Sequence, residues 1–224
     1  MTSTSPDPQK PSTTLIWDLP IRCFHWGSVI AFGFCWWSAE NGQMDWHVRS
    51  GYGLLVLLLF RLIWGFVGSE TARFRQFLRG PKAVFAAIKK LKDRSPSHSI
   101  GHNPLGGWSV MLMLSLLTMQ IGLGLFAEDI DGLASGPFTY LLSYDQARWA
   151  AETHETLFNL VLAVVMFHIA AVVYYFLYKK ENLILPMLNG QSQTLKPPSP
   201  LHQGSLLSAF IIVISLSLFV YFIV

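Results

Sequence analysis

Five apolar stretches dominate this chain, each about 20 residues long, the length that carries an α-helix across a bilayer. They run from Ile21 to Ala39, Val48 to Val67, Leu105 to Phe126, Glu155 to Tyr178 and Leu206 to Val224. Inside hydrocarbon every backbone amide must find its partner within the segment, so such runs fold as helices. Composition agrees. Hydrophobic residues make up 52% of the 224 residues and charged residues only 13%, against about 25% charged in a soluble domain. The expected fold is an all-α membrane protein with five transmembrane helices.

Tryptophans mark the edges of the spans, where indoles favour the membrane–water interface. Trp17 and Trp26 flank one end of the first span, Trp36 and Trp37 the other, and Trp46 and Trp64 bracket the second. Trp108 opens the third and Trp149 precedes the fourth. Lysine and arginine then set the orientation. Arg73, Arg75, Arg79, Lys82, Lys89, Lys90, Lys92 and Arg94 crowd the loop between spans two and three, and Lys179, Lys180 and Lys196 follow span four. By the positive-inside rule these loops are cytoplasmic. The opposite face holds Glu40, Asp45, Glu128, Asp129, Asp131, Asp145 and Glu152 against Arg49 and Arg148. The N-terminus is then cytoplasmic and the C-terminus ends outside, in a multi-pass membrane protein. The net charge of +3 flanks the spans and is no nucleic-acid signature.

Residues 1–16, rich in Ser, Thr and Pro, read as a disordered cytoplasmic tail. They carry no apolar h-region, so the first span is expected to act as the targeting signal. Residues 17–185 form the bundle, 186–205 read as a Pro-, Ser- and Gln-rich linker, and 206–224 are the extra helix. Pro81 to Lys92 places Val84, Phe85, Ile88 and Leu91 at helical spacing with lysines between them, the pattern of an amphipathic helix on the cytoplasmic membrane surface.

Histidines stand out against this background, because an ionisable residue within a span is costly unless paired or coordinated. His25 lies near the cytoplasmic end of the first span and His47 near the outer end of the second. His154 opens the fourth span and His168 lies fourteen residues deeper, about 21 Å along a helix and nearly four turns, so both share one face. Two depth-matched pairs result: His25 with His168 on the cytoplasmic side, and His47 with His154 on the periplasmic side. Two bis-histidine haems stacked across the membrane fit this arrangement, since facing helices of a bundle build cofactor sites and six-coordinate iron suits electron transfer. A metal or proton transport path lined by histidine is the competing reading. There is no C-x-x-C-H, so a haem here is held without a covalent bond. Cys23 and Cys35 are twelve residues apart, too far to form a disulfide on one helix.

Gly27 and Gly51 follow His25 and His47, and Gly106, Gly107, Gly122 and Gly124 dot the third span. They suit either close porphyrin approach or small-residue helix packing. Arg22 and Arg61, near the cytoplasmic ends of spans one and two, are candidates for binding haem propionates, with Arg49 and Arg148 at the outer face. Interfacial anchoring is the alternative. His102, in Gly-His-Asn-Pro-Leu-Gly-Gly, reads as part of a helix entry with Pro104 in the first turn, or as a proton-exchange group near a quinone site. His98 and His202 read as loop residues, and Asp129 and Asp131 as a solvated acidic loop.

These residues also carry a resemblance. Trp-Asp-Leu-Pro-Ile-Arg-Cys-Phe-His-Trp at 17–26 resembles the opening of bacterial cytochrome b561 proteins, and most of all the b-type cytochrome subunits of nickel–iron hydrogenases. Trp46-His47-Val-Arg-Ser-Gly-Tyr52 is similar to their second-span ligand motif. Arg61-Leu-Ile-Trp-Gly-Phe-Val-Gly68 with Ala72-Arg-Phe74 resembles the inner loop, and Gly101-His-Asn-Pro-Leu-Gly-Gly107 the third-span entry. His154-Glu-Thr-Leu and Phe167-His168 resemble the fourth-span ligand pair. The likeness covers roughly 15–190. It implies a four-helix, di-haem, quinone-linked cytochrome with His25, His47, His154 and His168 as axial ligands. The fifth span departs from that pattern.

The expected function is electron transfer between the quinone pool and a periplasmic redox partner, either a c-type cytochrome or a hydrogenase-like or dehydrogenase-like subunit. The acidic outer loops favour a basic partner surface. A stand-alone oxidoreductase passing electrons from superoxide to quinone is the second reading, and a histidine-lined metal or proton transporter the third.

Overall fold

A computed structural model describes residues 13–95, 99–130, 134–192 and 200–224. The tail before residue 13, His98, Asp131 and the linker residues 193–199, including Lys196, lie outside the described residues. Eight helices carry the described chain: α1 (Leu19–Glu40), α2 (Met44–Val67), α3 (Phe74–Phe77), α4 (Pro81–Lys89), α5 (Pro104–Phe126), α6 (Tyr144–Leu177), α7 (Ile184–Asn189) and α8 (Leu206–Ile223). Four of them, α2, α5, α6 and α8, are long and apolar enough to cross a membrane. The 22-residue α1 has the length but is more polar, carrying Arg22, His25, Ser28, Ser38 and Glu40. The protein is an all-α, multi-pass membrane protein. Its outward surface suits lipid: Phe167 and Phe222 are 79% and 80% exposed.

The caps explain where the long helices begin. The Asp18 carboxylate accepts from the Ile21 amide at 3.0 Å and from the Trp64 indole at 2.9 Å, so one side chain caps α1 and fastens it to α2. Asn103 accepts from the Gly106 amide at 2.8 Å, with Pro104 in the first turn of α5, as the Gly-His-Asn-Pro segment predicts. Helix α6 begins at Tyr144, well before the apolar run from Glu155. Ser143 and Gln146 form a capping box there, which satisfies the first amides outside the hydrophobic stretch. His154 is thus a residue of the helix interior and not of its first turn.

Helix α2 is the hub, packed against α1, α5 and α8, while α6 packs on α5. The α1–α6 side of the bundle closes through aromatic contacts, Phe32 and Trp36 against Phe158, with ring centroids 5.9 and 5.7 Å apart. Trp64 is fully buried. Phe60 stacks on it, Asp18 holds its N–H, and Gly204, just before α8, lies so close that a Cβ there would stand 2.3 Å from its ring. The fifth sequence span is therefore fastened to the bundle at its start.

The basic segment between α4 and α5 is tied down by α6 and the segment after it. Lys179 donates to the carbonyls of Lys90 and Asp93, both at 3.0 Å, and Tyr174 and Tyr178 donate to those of Leu91 and Lys92. On α4 the expected amphipathic pattern is present, with Phe85 and Ile88 exposed. After α7, strand β2 (Gln191–Ser192) pairs antiparallel with β1 (Thr14–Leu15). Gly190 makes this turn at φ +83°, a conformation that favours glycine. The chain thereby returns to the entrance of α1.

Candidate functional site

Four histidines converge in two pairs across the bundle. The rings of His47 and His154 stand 6.0 Å apart between centroids, and those of His25 and His168 stand 6.5 Å apart. An imidazole nitrogen binds a transition metal at about 2 Å, and the ring centroid lies about 1 Å behind it. Two imidazoles that shared one metal would hold their centroids about 6 Å apart, a separation that both pairs fit. Among the described residues no group of three or more His, Cys, Asp or Glu comes together as a metal site. Two protein ligands per site, with the other positions filled by a macrocycle, is the arrangement these pairs suit.

The outer pair is oriented from behind. His47 Nδ1 lies 2.9 Å from the carbonyl oxygen of Cys35 on α1, and His154 Nδ1 lies 2.8 Å from that of Gln120 on α5. A carbonyl accepts only from an N–H, so each ring carries its proton on Nδ1 and presents Nε2 as a free lone pair. Gln120 reinforces the contact by donating its side-chain amide to the His154 carbonyl at 3.0 Å. The Cys35 thiol sits 3.4 Å from His47 Nδ1, and both cysteines are free. Gly124 makes room for the His154 ring, because a Cβ there would lie 3.0 Å from Cε1.

The inner pair has different surroundings. His25 Nδ1 is buried without a hydrogen-bond partner. Arg22 donates Nη1 to the Leu188 carbonyl at 2.6 Å, but its Nε is buried and unpartnered. Arg61 is only 3% exposed, its guanidinium 4.9 Å from the centre of the Phe74 ring and 6.0 Å from that of Phe77. One of its terminal nitrogens is buried with no partner, and no ion pair to it forms among the described residues. His102 lies edge-on to Trp17 at 4.7 Å and against Phe77 at 4.8 Å. Burial, with Arg61 close by, pushes its pKa down to about 3, so it is neutral at physiological pH. Its Nδ1 is also buried and unpartnered.

The remaining sequence candidates fall elsewhere. Arg49 stacks over Trp46 and Arg148 bonds the Glu128 carbonyl and the Glu152 carboxylate. A Cβ at Gly27 would lie 3.5 Å from Leu57 of α2, ordinary packing distance, whereas one at Gly51 or Gly122 would meet nothing within 4 Å. The backbone of His202 exchanges hydrogen bonds with Glu70. Sequence reading missed the Cys35 and Gln120 carbonyls altogether. The polar Gln120 inside an apolar span was the one available signal.

Comparisons with known proteins assign the chain to a family. Residues 16–190 match the family model described as prokaryotic cytochrome b561. Among curated proteins, a probable Ni/Fe-hydrogenase B-type cytochrome subunit of Azotobacter vinelandii is 24% identical over 216 residues, covering 81% of this chain and 89% of that protein. The protein of the same description from Rhizobium leguminosarum bv. viciae is 23% identical over 213 residues, covering 79% and 87%. No solved structure matches. The chain belongs to the prokaryotic cytochrome b561 family, membrane electron-transfer proteins that carry b-type haem.

Proposed function

We propose that this protein carries electrons across the bacterial inner membrane through two b haems, one in each histidine layer. His25 and His168 would hold the cytoplasmic-side haem, and His47 and His154 the periplasmic-side haem. The observation that carries this reading is the pair of imidazole separations, 6.5 and 6.0 Å, each suited to one six-coordinate iron. Bound there, bis-histidine haem supplies one-electron transfer with no open position for a substrate. The protein's own part is to fix the imidazoles, exclude water from them and supply charge around them.

The membrane quinone pool is the proposed partner within the bilayer, and a periplasmic redox protein the partner outside. Relatives described as hydrogenase cytochrome subunits support a hydrogenase-like partner, and a c-type cytochrome meets the same requirements. Glu40, Asp45, Asp129, Asp145 and Glu152 are exposed around the face assigned to the periplasm, which supports docking of a basic surface.

Vesicles that contain the protein and a quinol, with a basic c-type cytochrome outside, test the reading. Reduction of the external cytochrome should require the protein, and its rate should fall severalfold between low salt and 0.5 M salt as the charges are screened. A rate unaffected by salt contradicts the charged docking face. No protein-dependent reduction of any external acceptor contradicts transmembrane transfer.

A further inference from the structure

Arg61 presents the sharpest unsolved charge in the molecule. A guanidinium removed from water needs an anion or a full set of acceptors, because a lone buried charge is strongly unfavourable. Arg61 is 3% exposed, and a terminal nitrogen has no partner. Phe74 and Phe77 lie beside it and offer only their π faces. The nearby carboxylate, Asp18, is already engaged by the Ile21 amide and the Trp64 indole. A second buried donor group stands across Phe77: His102, whose Nδ1 is likewise unpartnered. The two approach from different elements, α2 and the entry to α5. Asn103, the residue after His102, bonds Tyr175, which lies two turns beyond His168 on α6, so this pocket sits at the end of the bundle that holds the inner histidine pair.

We propose that Arg61 and His102 together form a buried carboxylate site, and that its occupant is a propionate of the haem held by His25 and His168. This rests on the haem reading above. The two propionates are the anionic groups that such a haem brings with it, and a carboxylate is what an unpartnered guanidinium with a neutral N–H donor nearby would hold. Arg61 would supply the charge and His102 a neutral N–H donor. Asn103, which follows His102, caps α5 and donates to the Tyr175 hydroxyl at 2.8 Å, so the backbone that carries His102 is fixed. Arg22, whose second donor group leads to Leu188, is left to anchor the α7 segment.

Redox titration of the purified, haem-loaded protein, followed in the visible spectrum, tests this. A cation near a haem favours the ferrous state, because reduction removes one positive charge from the iron. Arg61→Gln should shift the reduction equilibrium of one haem about tenfold towards the oxidised form, about 59 mV for a one-electron couple. The shifted component should be the one that His168→Ala removes, with the other unmoved. His102→Leu should shift the same component in the same direction by less, and His102→Gln, which keeps a donor, should restore part of it. Should Arg61→Gln fail to fold, Arg61→Met and His102→Leu decide, since both put an uncharged side chain of similar size in place of the donor. Unchanged potentials in variants that retain both haems overturn the carboxylate site and leave the haem reading intact. A shift confined to the His47/His154 component also overturns it. A wild-type protein without haem overturns the haem reading itself.

Discussion

The outer and inner histidine layers hold similar pairs by different means. In the outer layer each ring is anchored by a carbonyl of a neighbouring helix, Cys35 for His47 and Gln120 for His154. In the inner layer His25 Nδ1 has no such anchor, and the surroundings hold donors instead: Arg22, Arg61 and His102, each with a buried nitrogen left unpaired. The outer layer is thus pre-organised by the protein backbone, whereas the inner layer keeps buried polar nitrogens without partners. Backbone anchors fix ligand geometry, and buried cations tune the charge balance of the iron they face. One bundle can in this way hold two chemically similar centres at different potentials.

The largest effects should come from the ligands. His47→Ala or His154→Ala should abolish one spectral component, and His25→Ala or His168→Ala the other. Optical spectra of the four purified variants check this, and the pairing breaks if His25→Ala and His47→Ala remove the same component. Next in size is Gly124→Val, whose side chain would push into the His154 ring. Loss of such support lowers metal-site affinity by about 10–100-fold, so the outer haem should be retained substoichiometrically with the inner one intact. Haem content per polypeptide measures it, and equal loss from both layers contradicts the separate anchoring. Gln120→Leu keeps the backbone carbonyl but removes the amide that donates to the His154 carbonyl. One such hydrogen bond is worth about 1 kcal/mol, so the outer component should be lost at a slightly lower temperature in a thermal melt, with little change in its spectrum. Cys35→Ser should act least, because the carbonyl that accepts from His47 stays in place.

The pairing of the four histidines was legible in the sequence because helical rise and period convert residue spacing directly into depth and face. Fourteen residues between His154 and His168 fix both. The caps of α5 and the apolar runs of α2 and α8 were legible for the same local reasons. What lay beyond reach depends on how helices are rotated against one another. The carbonyls behind His47 and His154 belong to other helices, and no side-chain pattern marks a carbonyl. The burial of Arg61 arises only when α3 folds back, placing Phe74 and Phe77 beside it. An arginine near a span end otherwise reads as an interfacial anchor. The early start of α6 was hidden because its first turns are polar and held by Ser143 and Gln146, outside the hydrophobic signal. The return of β2 to β1 is a two-residue pairing, too short to leave a pattern.

The central claim is that each layer holds one haem. The direct measurement is the haem-to-polypeptide ratio of the purified, detergent-solubilised protein, by pyridine haemochrome assay. The account predicts about two b haems per chain, since each bis-histidine layer completes one iron. A single haem per chain would leave one layer purely structural and contradict transfer across the membrane. No haem in folded protein would contradict the assignment of all four histidines.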